Sequence, residues 1–272
     1  LMTDEFKKAF AECGYSEEYA RITISNRPDL CEFQCNGAMA AAKTYKKAPF
    51  VIADERFTKV IVNERIVAYI NSLDRGNSPI CNTIEKEAIE DDVPIIRKEM
   101  GNLLKVLLEL KQPQSILEVG TAVGYSSILM SENMPEGCII DTIENYDKRI
   151  PIARNNFKRA GKEDCIRLIE GDAMEVLKEL EGPYDFIFMD AAKGQYINYL
   201  PEILRLMPKG GLLITDNILQ EGELVESRYV VTRRDRTIHT RIREYVYELT
   251  HNDNLITSIV PIGDGITLSV KK

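Results

Sequence analysis

The sequence contains no tryptophan and only two histidines, His239 and His251, among its 272 residues. Chemistry that depends on a histidine-rich metal site is therefore disfavoured. It also lacks any apolar run of about 18 residues or more, so no transmembrane helix is expected. The first residues carry charges throughout and no apolar segment, which does not fit a secretory signal.

Cysteines are few and irregularly spaced. There are six, and only Cys31 and Cys35 lie close together, without the second pair or nearby histidine that would complete a zinc site. We therefore expect reduced thiols and a cytoplasmic protein. The net charge of −8 gives no general attraction for nucleic acid.

One segment departs from this acidic balance. Between residues 226 and 244 there are six arginines and three acidic residues, which gives a local charge of +3. The arginines are Arg228, Arg233, Arg234, Arg236, Arg241 and Arg243.

Apolar runs alternate with amphipathic stretches through the middle of the chain. The runs predict strands over 115–120, 138–144, 165–170, 184–190 and 212–216. The stretches between them predict helices over 125–133, 147–160, 173–180 and 197–207. This alternation is typical of a parallel sheet that is covered by helices on both faces.

The sequence predicts further elements at both ends of this region. A helix over 237–250 precedes two strands, 255–261 and 266–270, which a tight turn at Gly263-Asp264-Gly265 would join as an antiparallel edge hairpin. Upstream, apolar spacing predicts helices over 63–73 and 94–110, with Pro94 in the first turn of the second. The fold class is therefore α/β, with a mostly parallel seven-stranded sheet and an antiparallel edge hairpin.

A glycine loop follows the first predicted strand. It reads Glu118-Val-Gly-Thr-Ala-Val-Gly-Tyr-Ser126. A dinucleotide-binding loop would need glycine where Ala122 and Tyr125 stand, so a pyrophosphate ligand is disfavoured. A looser G-x-x-x-G turn suits the amino-acid end of S-adenosylmethionine (SAM), which has no phosphate. The candidate cofactor residues in this segment are Glu118, Gly120, Thr121, Gly124 and Ser126, and Asp190 is a further candidate later in the chain.

Acidic residues follow the next two strands. Glu144 is placed to accept hydrogen bonds from ribose hydroxyls, and Asp172, followed by Ala173, is placed to contact adenine. The alternative is that these acids only cap the helices that follow them.

Asp190 ends the fourth strand, and Asp216-Asn217 ends the fifth. Because these strands are expected to be neighbours in the sheet, the three side chains would converge at its carboxyl edge. Three oxygen ligands suit Mg²⁺ or a similar hard cation. Lys193 would reach a substrate hydroxyl there, as a base or as a stabiliser of charge. Helix capping by the two aspartates remains the alternative.

The segments E-V-G-T-A-V-G-Y-S, D-A-A-K and T-D-N, in this order, resemble the cation-dependent O-methyltransferase family of catechol and caffeoyl-coenzyme A methyltransferases. The resemblance runs from about residue 61 to residue 272. It implies a Rossmann-like class I SAM-dependent methyltransferase that forms a homodimer. It also implies roles for particular residues. Asp190, Asp216 and Asn217 would hold the metal, Lys193 with Asp190 would be catalytic, and Gly120, Ser126, Glu144, Asp172 and Ala173 would line the SAM site.

Within that family, D-A-A-K-G-Q-Y, T-D-N-I-L and the arginine-rich tail resemble the bacterial branch. That branch includes tRNA 5-hydroxyuridine methyltransferases, which make 5-methoxyuridine at the wobble position. The resemblance implies that the anticodon stem-loop is the partner, with Mg²⁺ held between the 5-hydroxyl and the 4-carbonyl. The residues expected to contact phosphates are Arg228, Arg233, Arg234, Arg236 and Arg241.

Three alternatives stay open at this point. The arginine-rich segment would be a solvated surface if the acceptor were a small catechol-like phenol. The chain would be a non-enzymatic tRNA-binding adapter if the strand-end residues were inert. A nicotinamide dehydrogenase is disfavoured by Ala122.

Residues 1–55 resemble the start of the N-terminal domain of arginyl-tRNA synthetases, without the synthetase active-site motifs. We therefore divide the chain into a synthetase-like fragment, residues 1–58, and a methyltransferase domain, residues 59–272. Our hypothesis for the fragment is a gene fusion or a start-site accident, with Val60 as a GTG start codon that is read through. The rival hypothesis is an appended tRNA-binding module.

Overall fold

The computed structural model describes residues 7, 8, 10, 11, 13–24, 33–49, 62, 64–226 and 231–272. The chain divides into two compact units. One comprises Leu1–Val60 and Glu226–Arg236, and the other comprises Ile61–Val225 and Thr237–Lys272. Among the described residues, no helix is long and apolar enough to cross a membrane.

The first unit contains a small antiparallel strand pair and a helix. These are β1 (Ile22–Ile24), β2 (Phe33–Cys35) and α1 (Gly37–Tyr45). The buried side chains around them are Phe10, Tyr15, Ala20 and Ala41. The Tyr15 and Tyr45 rings meet edge to face, with 4.8 Å between their centroids. The unit therefore has an apolar cluster of its own, although a small one. Cys31 lies outside the described residues.

The second unit is built on a seven-stranded sheet. Its strands are β3 (Ser115–Val119), β4 (Ile139–Glu144), β5 (Ile166–Glu170), β6 (Phe186–Met189), β7 (Leu212–Thr215), β8 (Leu255–Val260) and β9 (Ile266–Lys271). Their order is β5-β4-β3-β6-β7-β9-β8. Strands β3 to β7 are parallel, whereas β9 runs antiparallel to both β7 and β8. The predicted fold class is confirmed.

The chain starts the sheet in its middle, at β3. It builds outward to β4 and β5, then crosses back to β6 on the other side of β3. Such a reversal of strand order opens a crevice at the carboxyl ends of the central strands, where ligands of open α/β sheets bind.

Helices surround this sheet. They are α2 (Glu64–Ser72), α3 (Pro79–Glu90), α4 (Lys98–Lys111), α5 (Tyr125–Ser131), α6 (Ile150–Arg159), α7 (Ala173–Glu179), α8 (Tyr196–Leu206) and α9 (Arg236–His251). The central strands are buried on both faces because their side chains alternate between two apolar clusters. In β6, for example, Phe186 and Phe188 pack into one cluster, and Ile187 and Met189 into the other.

Two features upstream of the sheet differ from the sequence prediction. Helix α3 was not predicted, although Ser78 and Pro79 mark its start and the Ser78 hydroxyl accepts a hydrogen bond from the Cys81 amide at 3.2 Å. The predicted helical position of Pro94 was wrong. Helix α4 begins at Lys98, because Arg97 is extended and Ile96 is drawn into the core.

Candidate active site at the carboxyl edge of the sheet

The turn between β3 and α5 can be made only by glycine at both of its ends. Gly120 has a φ of +108° and Gly124 a φ of +83°, in the region that L-residues avoid. A Cβ added to Gly120 would lie 2.0 Å from the Asp190 carbonyl oxygen. One added to Gly124 would lie 2.5 Å from the Phe157 ring. The loop is therefore pressed against β6 on one side and α6 on the other.

Glu118 lies beneath this loop and not in the cavity above it. Its side chain is fully buried, and it accepts hydrogen bonds from the hydroxyls of Ser126 at 2.5 Å, Thr142 at 2.5 Å and Ser127. Burial raises the pKa of Glu118, which these hydroxyls partly offset. Thr121 joins the same cluster through the Thr142 hydroxyl at 2.6 Å. Glu118 thus supports the loop from below, whereas the sequence had predicted that it would line the cofactor site together with the loop.

Glu144 both holds the loop and faces the cavity. One carboxylate oxygen accepts a hydrogen bond from the Ala122 amide at 2.8 Å, and the other accepts from the amides of Asn145 at 3.0 Å and Tyr146 at 2.9 Å. Its side chain also lines the cavity. Because each carboxylate oxygen can accept two hydrogen bonds and three of these four positions are used, Glu144 retains capacity for one ligand hydroxyl while it holds the loop.

Asp172 caps helix α7. Its carboxylate accepts a hydrogen bond from the Met174 amide at 2.9 Å, and its side chain is exposed. It does not line the cavity, whereas Gly171 and Ala173 on either side of it do. In the structure Asp172 therefore has the helix-capping position that was the alternative to a contact with adenine.

A cavity of about 540 Å³ opens above these strand ends. The predicted residues that line it are Gly120, Thr121, Ser126, Glu144, Ala173, Asp190, Lys193 and Asn217. Glu118, Gly124, Asp172 and Asp216 do not line it. The apolar wall formed by residues 94–96 was not predicted, because these residues were assigned to a helix. The aromatic residues Tyr125, Tyr146 and Tyr199 were not predicted to line the cavity either.

Asp190 and Asp216 stand side by side because Met189 pairs with Thr215 on the neighbouring strand. Burial raises the pKa of Asp190 to about 6, and the charge of Glu118 adds to this effect. Burial and the charge of Asp190 raise the pKa of Asp216 to about 7. Two neighbouring carboxylates that repel one another would be stabilised by a bound cation.

Asn217 supplies an amide next to this pair. It has a φ of +62°, and its backbone amide donates to an Asp216 carboxylate oxygen at 2.6 Å. The three side chains offer hard oxygen donors, which fit Mg²⁺ better than softer metals. Within the described part of the chain, no three Cys, His, Asp or Glu side chains form a group able to hold a metal. The amide oxygen and other oxygen ligands would therefore have to complete a site here.

Lys193 lies in the cavity wall, whereas the described arginines that were predicted to contact phosphates are either exposed or bonded to the backbone. Lys193 lines the cavity, and its ammonium lies 3.2 Å from an Asp264 carboxylate oxygen. Arg233 and Arg234 are exposed. Two further arginines donate hydrogen bonds to backbone carbonyls of the chain itself. Arg236 donates to the Val231 carbonyl at 3.2 Å, and Arg241 donates to the Gly194 carbonyl at 3.1 Å. Arg228 lies outside the described residues.

The chain matches two protein-family models. The O-methyltransferase model matches residues 54–272, and the model of the arginyl-tRNA synthetase N-terminal domain matches residues 1–72. A catechol O-methyltransferase from Niastella koreensis is 34% identical over 135 residues, which are 48% of this chain and 61% of that protein. An arginine–tRNA ligase from Agathobacter rectalis is 66% identical over 55 residues, which are 20% of this chain and 9% of that protein.

Solved structures share the fold of the second unit. An O-methyltransferase from Bacillus cereus in complex with SAH superposes with a TM-score of 0.68 at 25% identity, covering 76% of this chain and 97% of that one.

We expect Gly120→Ala to lower the free energy of unfolding by about 2–5 kcal/mol, because it combines an unfavourable φ with a backbone clash. Gly137→Ala is the matched control. Gly137 has a φ of +83° with nothing within 4 Å of an added Cβ, so only the backbone cost of about 1–2 kcal/mol should appear. Urea unfolding measures both, and equal losses in the two variants would contradict the steric role of Gly120.

The raised pKa of Glu118 has a consequence for stability. The folded state keeps this proton to a higher pH than the unfolded state, so ionisation costs stability as the pH rises above the unfolded value. Glu118→Gln removes that cost. We expect its free energy of unfolding, relative to the native chain, to improve progressively as the pH rises above the ordinary pKa of a glutamate carboxyl. Glu163→Gln, at an exposed position, should show no such trend; a flat difference for both variants would refute the effect.

Proposed function

Because the chain belongs to the O-methyltransferase family, we propose that it transfers a methyl group from SAM to a hydroxyl oxygen, with Mg²⁺ bound at the acceptor. The acceptor that we propose is the 5-hydroxyl of 5-hydroxyuridine at the tRNA wobble position. One observation carries the proposal: a single cavity joins the Gly120 loop and Glu144 to Asp190, Lys193 and Asn217.

The donor side of the cavity suits SAM. The loop backbone at Gly120 and Thr121 is held against the end of β4, because both amides donate to the Ile143 carbonyl at 3.1 Å. Glu144 has acceptor capacity for a ribose hydroxyl. Tyr146, whose ring lies 5.4 Å from the Arg149 guanidinium, offers an aromatic face to the adenine.

The acceptor side suits a hydroxyl that has a second oxygen beside it. Asp190, Asp216 and Asn217 would hold Mg²⁺, which when bound lowers the pKa of a hydroxyl and orients its oxygen. Lys193 would take up the hydroxyl proton or balance the charge that develops on the oxygen. 5-Hydroxyuridine presents a 5-hydroxyl next to a 4-carbonyl, as a catechol presents two adjacent hydroxyls.

The choice between tRNA and a small phenol rests on different features. The exposed Arg233 and Arg234 favour an RNA phosphate backbone. The apolar wall of Ile95 and Ile96 and the catechol O-methyltransferase among the relatives favour a phenol. We rank tRNA first and the phenol second. A non-enzymatic adapter ranks third, since it would give the cavity residues no role.

Two proposals concern the rest of the chain. Helix α2 and the residue after it present an exposed apolar stripe, formed by Ile66, Tyr69, Ile70 and Leu73. We propose that a second copy covers this stripe in a homodimer, which light scattering would detect. We also propose that residues 1–58 are a fusion that methyl transfer does not need. A large loss of tRNA affinity on deleting residues 1–59 would instead favour a tRNA-binding module.

The function is tested by incubating the chain with SAM, Mg²⁺ and tRNA that carries unmethylated 5-hydroxyuridine, with a catechol in a parallel reaction. We expect 5-methoxyuridine by mass spectrometry, and a loss of product of about 100-fold or more in Asp216→Ala or on chelation of Mg²⁺. Asp253→Asn, at an exposed turn, is the control that should keep activity. Methylated catechol with unmodified tRNA would move the function to small phenols.

Contact of Arg233 and Arg234 with tRNA phosphates can be tested separately. Replacing both Arg233 and Arg234 with Gln should weaken tRNA binding and reduce its salt dependence. Replacing Lys209 and Lys272, which are exposed next to the amino end of β7, should have a smaller effect. Equal effects of the two double variants would leave the arginines without a specific role.

A further inference from the structure

The proposed catalytic lysine is held by a residue that lies 71 positions further along the chain. Asp264, in the turn between β8 and β9, accepts a hydrogen bond from the Lys193 ammonium at 3.2 Å. We infer that Asp264 is the positioning residue for Lys193 in methyl transfer. This inference rests on the proposed function, because it assumes that Lys193 acts on the acceptor.

The pair is unequal in exposure, and this decides which partner guides the other. The Asp264 side chain is 8% exposed, whereas that of Lys193 is 33% exposed and lines the cavity. A buried carboxylate on a fixed turn has little freedom to move. A lysine has a long flexible side chain, so its ammonium adopts the place that the carboxylate sets.

The turn that carries Asp264 is itself fastened beside the proposed metal ligands. The amides of Ile218 and Leu219, which follow Asn217, donate to the carbonyls of Gly265 and Asp264 at 2.9 Å each. Gly265 has a φ of +79°, and a Cβ added to it would lie 2.2 Å from Leu219 Cγ. The backbone that places Asp216 and Asn217 therefore also places Asp264.

A second element holds the other side of the lysine. The Arg241 guanidinium, on α9, donates to the carbonyl of Gly194 at 3.1 Å. Lys193 and Gly194 begin a short 3₁₀ turn, Lys193–Gln195, that leads into α8. The backbone of the lysine is thus restrained from α9, and its ammonium from the β8–β9 turn.

Asp264 lies near the proposed metal ligands as well as near Lys193. Its negative charge helps to raise the pKa of Asp216, so the two carboxylates are near enough to interact. Among the residues that the structure describes, however, no three acidic, histidine or cysteine side chains form a metal-holding group. We therefore base the role of Asp264 on its contact with Lys193.

The test compares Asp264→Asn, which removes the charge, with Asp264→Glu, which keeps it on a longer side chain. With the acceptor that the native chain methylates, we expect Asp264→Asn to lower kcat roughly 10- to 100-fold, since a lysine displaced by about 1 Å loses most of its effect. The KM for SAM should stay within about twofold, because Asp264 does not line the cavity. Asp264→Glu should recover part of kcat, and Asp253→Asn should match the native chain.

A second measurement needs no methyl acceptor. The full chain is treated with an amine-acylating reagent, and the extent of Lys193 modification is read by peptide mass spectrometry. We expect Lys193 to react several times faster in Asp264→Asn than in the native chain or in Asp253→Asn, since the ion pair that engages its ammonium at 3.2 Å is then lost. If Asp264→Asn fails to fold, Asp264→Glu in the same assay should give an intermediate rate.

Three results would overturn the inference. An unchanged or raised kcat in Asp264→Asn would mean that the carboxylate is dispensable or withholds Lys193 from the reaction. Unchanged acylation of Lys193 would mean that the pair does not form in solution. A large loss of Mg²⁺ affinity, measured by calorimetry, would assign Asp264 to the metal. If the native chain methylates no acceptor but acylation still changes, the positioning contact stands and the proposed function fails.

Discussion

The contact between Gly120 and the Asp190 carbonyl joins the two halves of the site. The peptide at Gly120 follows β3, Asp190 follows β6, and the Asp190 amide donates to the Val119 carbonyl at 3.0 Å. No side chain fits between them, because even a Cβ would lie 2.0 Å from the carbonyl oxygen. The donor loop and the proposed metal-binding strand end are thus fixed relative to each other by backbone alone. Transfer between two bound reactants depends on such fixed separations.

The polar groups beneath the site are arranged to support this contact. Glu118 gathers three hydroxyls under the loop, and Tyr196 lies within hydrogen-bonding distance of the carbonyls of Ala191 at 3.2 Å and Asp216 at 3.4 Å. Below it, the Thr215 and Tyr245 hydroxyls are 2.6 Å apart. Buried polar groups are costly unless they are paired, and these pairs fall under the strand ends that carry Asp190 and Asp216.

Local patterns in the sequence were sufficient for the sheet and for much of the cavity wall. Apolar runs that end in glycine or acidic residues predicted β3 to β7, and Asp190 and Asn217, at the ends of two of these strands, line the cavity. The capping role of Asp172 was predicted only as an alternative, since a strand-end acid looks the same in either role. The internal bonds of Arg236 and Arg241 could not be foreseen, because an arginine in the sequence does not reveal its acceptor. Asp264 was seen only as a turn residue, since its partner is distant in the chain.

The pairing of Lys193 with Asp264 also bears on the order in which the molecule is assembled. Their separation of 71 residues means that the pair closes a long loop, and β7 must meet β9 before the turn can reach the lysine. The entropy of loop closure is lost before such a contact stabilises anything, as it also is where β3 pairs with β6, since Ile116 and Phe186 lie 70 residues apart. The lysine is therefore placed for chemistry only once the antiparallel edge has closed on the parallel strands.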